Sequence, residues 1–137
     1  MRYRALPLYG LAIACAGSSY TVTATAPTPK PVADVYACVR GGITPIGYTQ
    51  GSYDVEAHRL TARRYDDTVR RPDVRFRRMV DELEIEVRPD SGGRSAIVVS
   101  SRTFAEYMTE RGQTLVQEAA SDSVQAAGQA LLAACGH

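Results

Sequence analysis

Chemistry has few places to start in a chain of 137 residues with two histidines, three cysteines and no tryptophan. His58 has no serine, cysteine or aspartate motif beside it to make a nucleophile or an orienting partner. It therefore reads as part of a polar turn rather than as a general base. His137 carries no motif. Glu82, Glu84 and Glu86 alternate with Leu83, Ile85 and Val87, which puts three carboxylates on one face of a strand. A metal would need further ligands, and no histidine or cysteine stands near them in the sequence; a solvated face is the expectation. Arginine is the most unusual feature. Fifteen arginines stand against one lysine, and residues 59–78 hold eight of them with only Asp66, Asp67 and Asp73 in opposition. Guanidinium forks suit phosphate and carboxylate. Arg70, Arg71, Arg77 and Arg78 are thus candidates for binding an anionic lipid headgroup or an acidic partner. The competing expectation is a solvated face in which these arginines pair with the glutamates.

Composition narrows the classes. Hydrophobic residues make up 45% of the chain and charged residues 23%, with a net charge of +1. That is enough apolar material for one core and one domain, and it argues against a strongly basic nucleic-acid binder. No apolar run approaches the ~18–20 residues that span a bilayer. Asp90-Ser91-Gly92-Gly93 looks like the nucleophile loop of chymotrypsin-like proteases. Such enzymes need two barrels and upstream His and Asp motifs that this chain lacks, and a hairpin turn accounts for the four residues. No catalytic residue, metal or cofactor is expected.

The first segment, MRYRALPLYGLAIAC, starts with Arg2 and Arg4 and continues as a ten-residue apolar run from Ala5 to Ala14. That is the charge pattern and length of a signal-peptide core rather than of a membrane span. Ala12-Ile13-Ala14-Cys15 resembles the lipobox of bacterial lipoproteins, with Ala12 where leucine is commonest. The resemblance implies a signal peptide over residues 1–14, cleaved before Cys15, and acylation of that cysteine. It also implies localisation in the cell envelope, anchored in the membrane through the lipid. Ala16 rather than aspartate after the cysteine points to the outer membrane, facing the periplasm or the surface. Without Arg2 and Arg4 the mature chain has a net charge of −1. Residues 15–32 are rich in Ser, Thr, Ala and Pro. They read as a flexible tether able to reach roughly 50 Å at ~3.1 Å per residue.

If Cys15 is lipidated, Cys38 and Cys135 remain, and an exported protein can oxidise them. Each falls on the apolar stripe of a helix: Val35, Cys38, Val39, Gly42 and Ile43 in one, Val124, Ala127, Gly128, Leu131 and Cys135 in the other. A Cys38–Cys135 disulfide between two neighbouring helices is expected; two free buried cysteines are the alternative.

The elements that must position these groups lie in 33–137, read as a single domain. A helix is expected from Ala33 to Thr44, and another after the capping residues Ser121, Asp122 and Ser123, closed by Gly136. Between them the period is two. Strands are expected at Ile46–Asp54, Arg59–Tyr65, Asp81–Arg88, Ser95–Thr103 and Gln113–Ala119, with turns near Asp54–His58 and Pro89–Gly93. The loop after Pro89 leaves the register of the 95–103 strand open by one residue. Leu60 and Ala62 should join Leu83, Ile85 and Val87 in the core, sending Arg59 and Arg63 outward against the glutamates. The fold class is α+β: two layers, an antiparallel sheet of four to five strands, with the N- and C-terminal helices on one face. In its lipobox, paired cysteines and element order, together with Gly47-Tyr48 and the Ser121-to-Cys135 ending, the chain resembles small bacterial lipoproteins of uncharacterised function. The resemblance implies a non-enzymatic, membrane-tethered envelope module that binds a partner or an anionic ligand. The alternative is a protein with a small-ligand pocket between sheet and helices.

Overall fold

A computed structural model describes residues 20–136. The order is β1 (Val22–Thr28), α1 (Val32–Gly42), β2 (Thr49–Asp54), β3 (Arg59–Asp66), β4 (Phe76–Pro89), β5 (Ser95–Thr109), β6 (Gly112–Glu118) and α2 (Asp122–Cys135). The fold is α+β, with the strands in one sheet and every pairing antiparallel. The sheet runs β1-β5-β4-β3-β2, and β6 also pairs with β5. The expected count of four to five strands becomes six.

The extra strand is β1, which lies inside the stretch expected to be a flexible tether. Its composition looks like a linker, yet Val22, Ala24, Ala26 and Thr28 alternate with the exposed Thr23, Thr25 and Pro27. Ala24 and Ala26 pack against the core, and the Thr28 side is buried. Pro27 is compatible with this place because β1 is an edge strand, where a missing N–H costs little. The folded domain thus begins near Val22, and the tether reading does not hold for residues 22–28.

Cross-strand register explains the core. Leu60 opposes Ile85 and Ala62 opposes Leu83; Ile97 opposes Val87 and Val99 opposes Ile85. These residues share the face that meets Val35 and Val39 of α1 and Val124 and Leu131 of α2 in a single cluster. Ile97 and Val99 point inward, which fixes the register that the loop length left open. Two glycines allow the helices to close in. A Cβ on Gly128 would stand 3.0 Å from Ser101 Oγ and 3.2 Å from Val99 Cγ1, and one on Gly42 would stand 2.8 Å from Leu131 Cδ1. Gly42 therefore serves helix–helix contact, which offsets its poor helix propensity.

The strands β4 and β5 are longer than their central alternation suggests, and they extend past the end of the helix layer. There the chain from Asp67 to Arg75 returns along the sheet. Phe76 packs edge-on to Tyr107 with centroids 5.8 Å apart, and the Arg75 carbonyl accepts a hydrogen bond from the Met108 N–H at 2.8 Å.

Candidate functional site

The face of the sheet opposite the helices carries an Arg–Glu lattice built by register alone. Arg63 opposes Glu82 and Arg59 opposes Glu86 across β3 and β4, while Arg102 of β5 opposes Glu82 from the other side. Arg63 Nε reaches Glu82 at 2.7 Å and Arg102 reaches it at 3.1 Å. Arg102 also bonds Glu84. Glu86 takes Arg88 at 3.1 Å and Arg59 at 3.5 Å. The Arg88 hydrogen bond, with the nearby Arg59 charge, holds the Glu86 carboxyl below the usual carboxylate range. The Glu82 hydrogen bond raises the Arg63 guanidinium. Further along, Arg78 bonds Glu106 at 3.1 Å and lies 3.8 Å above the Tyr65 ring. Glu82 and Glu106 are buried in this lattice. The three glutamates are therefore occupied by arginines, and the solvated face expected for them is in part a packed polar layer.

The arginine tract is correspondingly less available than its sequence suggests. Of its eight arginines, Arg59, Arg63, Arg64, Arg71, Arg75 and Arg78 pair with a carboxylate. Arg71 grips Glu118 with both nitrogens at 2.6 and 2.7 Å and lies 5.1 Å from the Phe76 ring. That bidentate bond raises its pKa further. The four candidate anion-binding residues thus divide. Arg71 and Arg78 are held in intramolecular pairs. Arg70 donates to the carbonyls of Asp67 and Val69 in its own loop. Arg70 and Arg77 are exposed, and among the described residues neither pairs with a carboxylate.

On the helix side, where the core ends, lies a polar cluster that the sequence analysis did not single out. Asp81 follows the inward alternation of Leu83, Ile85 and Val87, so a carboxylate occupies a core position. Its Oδ1 accepts from Thr103 Oγ1 at 2.7 Å and from Ser121 Oγ at 2.9 Å, and its Oδ2 accepts from Arg64 at 2.9 Å. Ser121 is the N-cap of α2: its Oγ accepts the Val124 N–H at 3.1 Å, while its own N–H donates to Thr103 Oγ1 at 2.9 Å. Arg64 also bonds Ser123 Oγ and lies 5.4 Å from the centre of the Tyr48 ring. Burial, with a contribution from the Asp81 charge, pushes the Tyr48 hydroxyl up to about 12. The cluster thus fixes where α2 starts and joins it to β3, β4 and β5. An odd-numbered carboxylate in an otherwise apolar row was its one trace in the sequence.

The remaining sequence candidates are structural. His58 is a turn residue with φ 51°; its ring meets Tyr36 edge-on at 5.4 Å and its carbonyl accepts from the Val87 N–H at 2.9 Å. Asp90 to Gly93 is the β4–β5 connection. Asp90 Oδ1 accepts the Ser91 N–H at 2.8 Å, and Gly92 and Gly93 take left-handed φ values of 70° and 74°. Cys38 and Cys135 form a disulfide with Cα atoms 5.8 Å apart, joining α1 to the end of α2. Cys15 lies outside the described residues, as do the signal segment and residues 15–19 of the tether. Between β1, β5 and α2 is a cavity of about 70 Å³ lined by Val22, Ala24, Val99, Ser101, Gln125, Gly128 and Gln129. No helix among the described residues is long and apolar enough to cross a membrane. No protein-family model matches the chain, and no curated protein matches it.

Proposed function

We propose that the chain is a non-enzymatic module of the bacterial cell envelope, tethered to a membrane by a lipid on Cys15. The observation that supports this most is the Cys38–Cys135 disulfide. Structural disulfides belong to oxidising compartments, and this one leaves Cys15, behind a short apolar run, as the odd cysteine. An export signal ending at Cys15 accounts for both features. In this reading the domain presents a stable, cross-linked surface to an envelope partner. The test is Cys15→Ser expressed in a bacterial host. It should move the protein from the membrane to the soluble fraction, while the wild type should start at an acylated Cys15 by mass spectrometry. Unchanged fractionation with an intact Met1 would refute the anchor.

Anionic-ligand binding remains the second part of the reading, now resting on Arg70 and Arg77. They are exposed and unpaired with carboxylates among the described residues, so they are the guanidinium groups that the tract leaves to a ligand, beside Asp66 and Asp67. A domain starting at Tyr20 should bind vesicles containing anionic lipid weakly at low salt and release them as screening shortens from ~10 Å at 0.1 M to ~3 Å at 1 M. Arg70→Gln with Arg77→Gln should remove that binding without changing the melting temperature. Equal binding by the variant and the wild type would eliminate these two residues. The small-ligand alternative draws less support. The cavity between sheet and helix, at about 70 Å³, holds roughly two waters at ~30 Å³ each.

A further inference from the structure

We infer that two copies of this chain pair antiparallel along the outer edge of β6, about a two-fold axis at Leu115, joining their sheets into one. Among the described residues β6 pairs only with β5. The Met108 N–H points toward β4, where it meets the Arg75 carbonyl. In an antiparallel ladder the bonding direction alternates, so the odd-numbered residues of β5 bond toward β6. Tyr107, Ala105 and Thr103 oppose Thr114, Val116 and Glu118. The main-chain groups of Gln113, Leu115 and Gln117 therefore face outward, and among the described residues no hydrogen bond reaches them. Open sheet edges are normally guarded by proline, charge or a bulge. The outward row of β1, Thr23, Thr25 and Pro27, loses a donor at Pro27. β2 is bulged between Gln50 and Tyr53. β6 has no proline, no bulge and no charge from Gly112 to Gln117. Its sequence is also its own complement. Gln113-Thr114-Leu115-Val116-Gln117 reads nearly the same in both directions, threonine and valine being close in shape. With Leu115 opposite the partner's Leu115, Gln113 opposes the partner's Gln117 and Thr114 opposes the partner's Val116. The outward main-chain groups then fall into hydrogen-bonded pairs, and a slip of one residue would set them against inward ones. On the helix side Val116, 48% exposed in one copy, is covered by the partner's Thr114. On the lattice side the two Leu115 side chains meet on the axis. Gln117 gives its Nε2 to Thr21 and keeps its Oε1 for the amide of the partner's Gln113. At each end Arg111 stands next to the partner's Glu118; it is exposed and has no carboxylate partner among the described residues. The same patch is used by both copies, so the contact closes at two.

Cross-linking of the full chain, purified in detergent, tests the register. Opposed Cα atoms of a hydrogen-bonded antiparallel pair lie about 5.5 Å apart, within disulfide range. Leu115→Cys should therefore oxidise to a dimer linked at position 115, read by mass spectrometry. Gln113→Cys should cross-link at least several-fold less, because its two copies stand four residues apart along the strands, about 14 Å. A mixture of Gln113→Cys with Gln117→Cys should link as Leu115→Cys does, and it decides the register should Leu115→Cys not fold. Without added cysteines, sedimentation should give twice the chain mass at high concentration and the chain mass on dilution. Leu115→Lys and Leu115→Glu each set like charges against each other on the axis. Each alone should be monomeric where the wild type is dimeric, and mixing the two should restore the dimer. Equal cross-linking of Leu115→Cys and Gln113→Cys overturns the pairing, as does a Leu115→Lys variant that dimerises like the wild type. A wild type that stays monomeric at every concentration, its edge taken by residues before Tyr20 or by a strand of another protein, overturns it likewise.

Discussion

Replacing Cys38 and Cys135 together by serine should lower stability by about 4 kcal/mol and the melting temperature by about 15 °C. The cross-link joins positions 97 residues apart, so it closes nearly the whole folded domain into one loop. In the chain-entropy account, a loop of that length restricts the unfolded ensemble close to the maximum a single bridge can give. The folded side adds a smaller loss. Cys135 is buried against the core, with 1% of its surface exposed, so a serine there places a hydroxyl among apolar neighbours. The fold itself should survive, because Val35, Val39 and Ile43 keep α1 in the core independently of the bridge. Urea unfolding separates the two contributions. Without the bridge the unfolded chain expands, so the denaturant slope should rise along with the drop in midpoint. Reducing the wild type should reproduce most of the shift. A wild type that carries two free thiols by mass spectrometry, or melts unchanged after reduction, would remove both the bridge and the compartment inference built on it.

How much of this was legible in the sequence depends on how clearly each segment separates its two faces. The centre of β4 reads directly because Glu82, Glu84 and Glu86 alternate with Leu83, Ile85 and Val87, and water and core make opposite demands on the two sets. The same contrast gave β3 its outward arginines. The distal halves of β4 and β5 were missed because both faces are largely buried there, the lattice side holding Arg78 and Glu106 beside Val80 and Phe104. Val80 is fully buried on the lattice side, where it opposes Phe104, while Ala105 is fully buried on the other side. Alternation disappears when neither face is wet. β1 failed for the opposite reason: its inward residues are valine, alanine and threonine, too small to register as hydrophobic. The arginine tract was legible where strands pair: Arg59 and Arg63 were expected against the glutamates, and they meet Glu86 and Glu82 across β3 and β4. The partners of Arg71 and Arg78 were not, because Glu118 and Glu106 stand 47 and 28 positions away along the chain. The cysteine pair was accessible because each cysteine lies on the apolar stripe of its own helix. The Asp81 cluster was not, since its members are contributed by β3, β4, β5 and the α2 cap.

Asp81→Ala should be among the most damaging single substitutions in the domain, costing about 2–4 kcal/mol and about 10 °C in melting temperature. The residue is 7% exposed and receives three hydrogen bonds, from Thr103, Ser121 and Arg64. Its removal leaves two hydroxyls without their acceptor and a guanidinium without its counter-charge. The Arg64 part of the cost is moderated because its side chain is 37% exposed and can turn toward water. Arg64→Ala should accordingly cost less than Asp81→Ala, and the double variant should fall short of the sum of the two singles, as expected for partners in one network. Asp81→Asn distinguishes charge from shape. Its carbonyl oxygen can still accept from Thr103 and Ser121, but its amide then faces the Arg64 donors, so an intermediate loss is expected. Tyr48 supplies a second readout. Its phenol, normally near 10.0, is pushed up to about 12, first by burial and then by the Asp81 charge. Because the folded value is the higher one, the neutral phenol stabilises the fold fully below pH 10, and that contribution is lost between about pH 10 and 12. Removing the Asp81 charge should lower the Tyr48 midpoint without returning it to 10, since burial persists. An Asp81→Ala protein that melts like the wild type, with the Tyr48 titration unmoved, would mean that α2 is positioned by its apolar stripe alone.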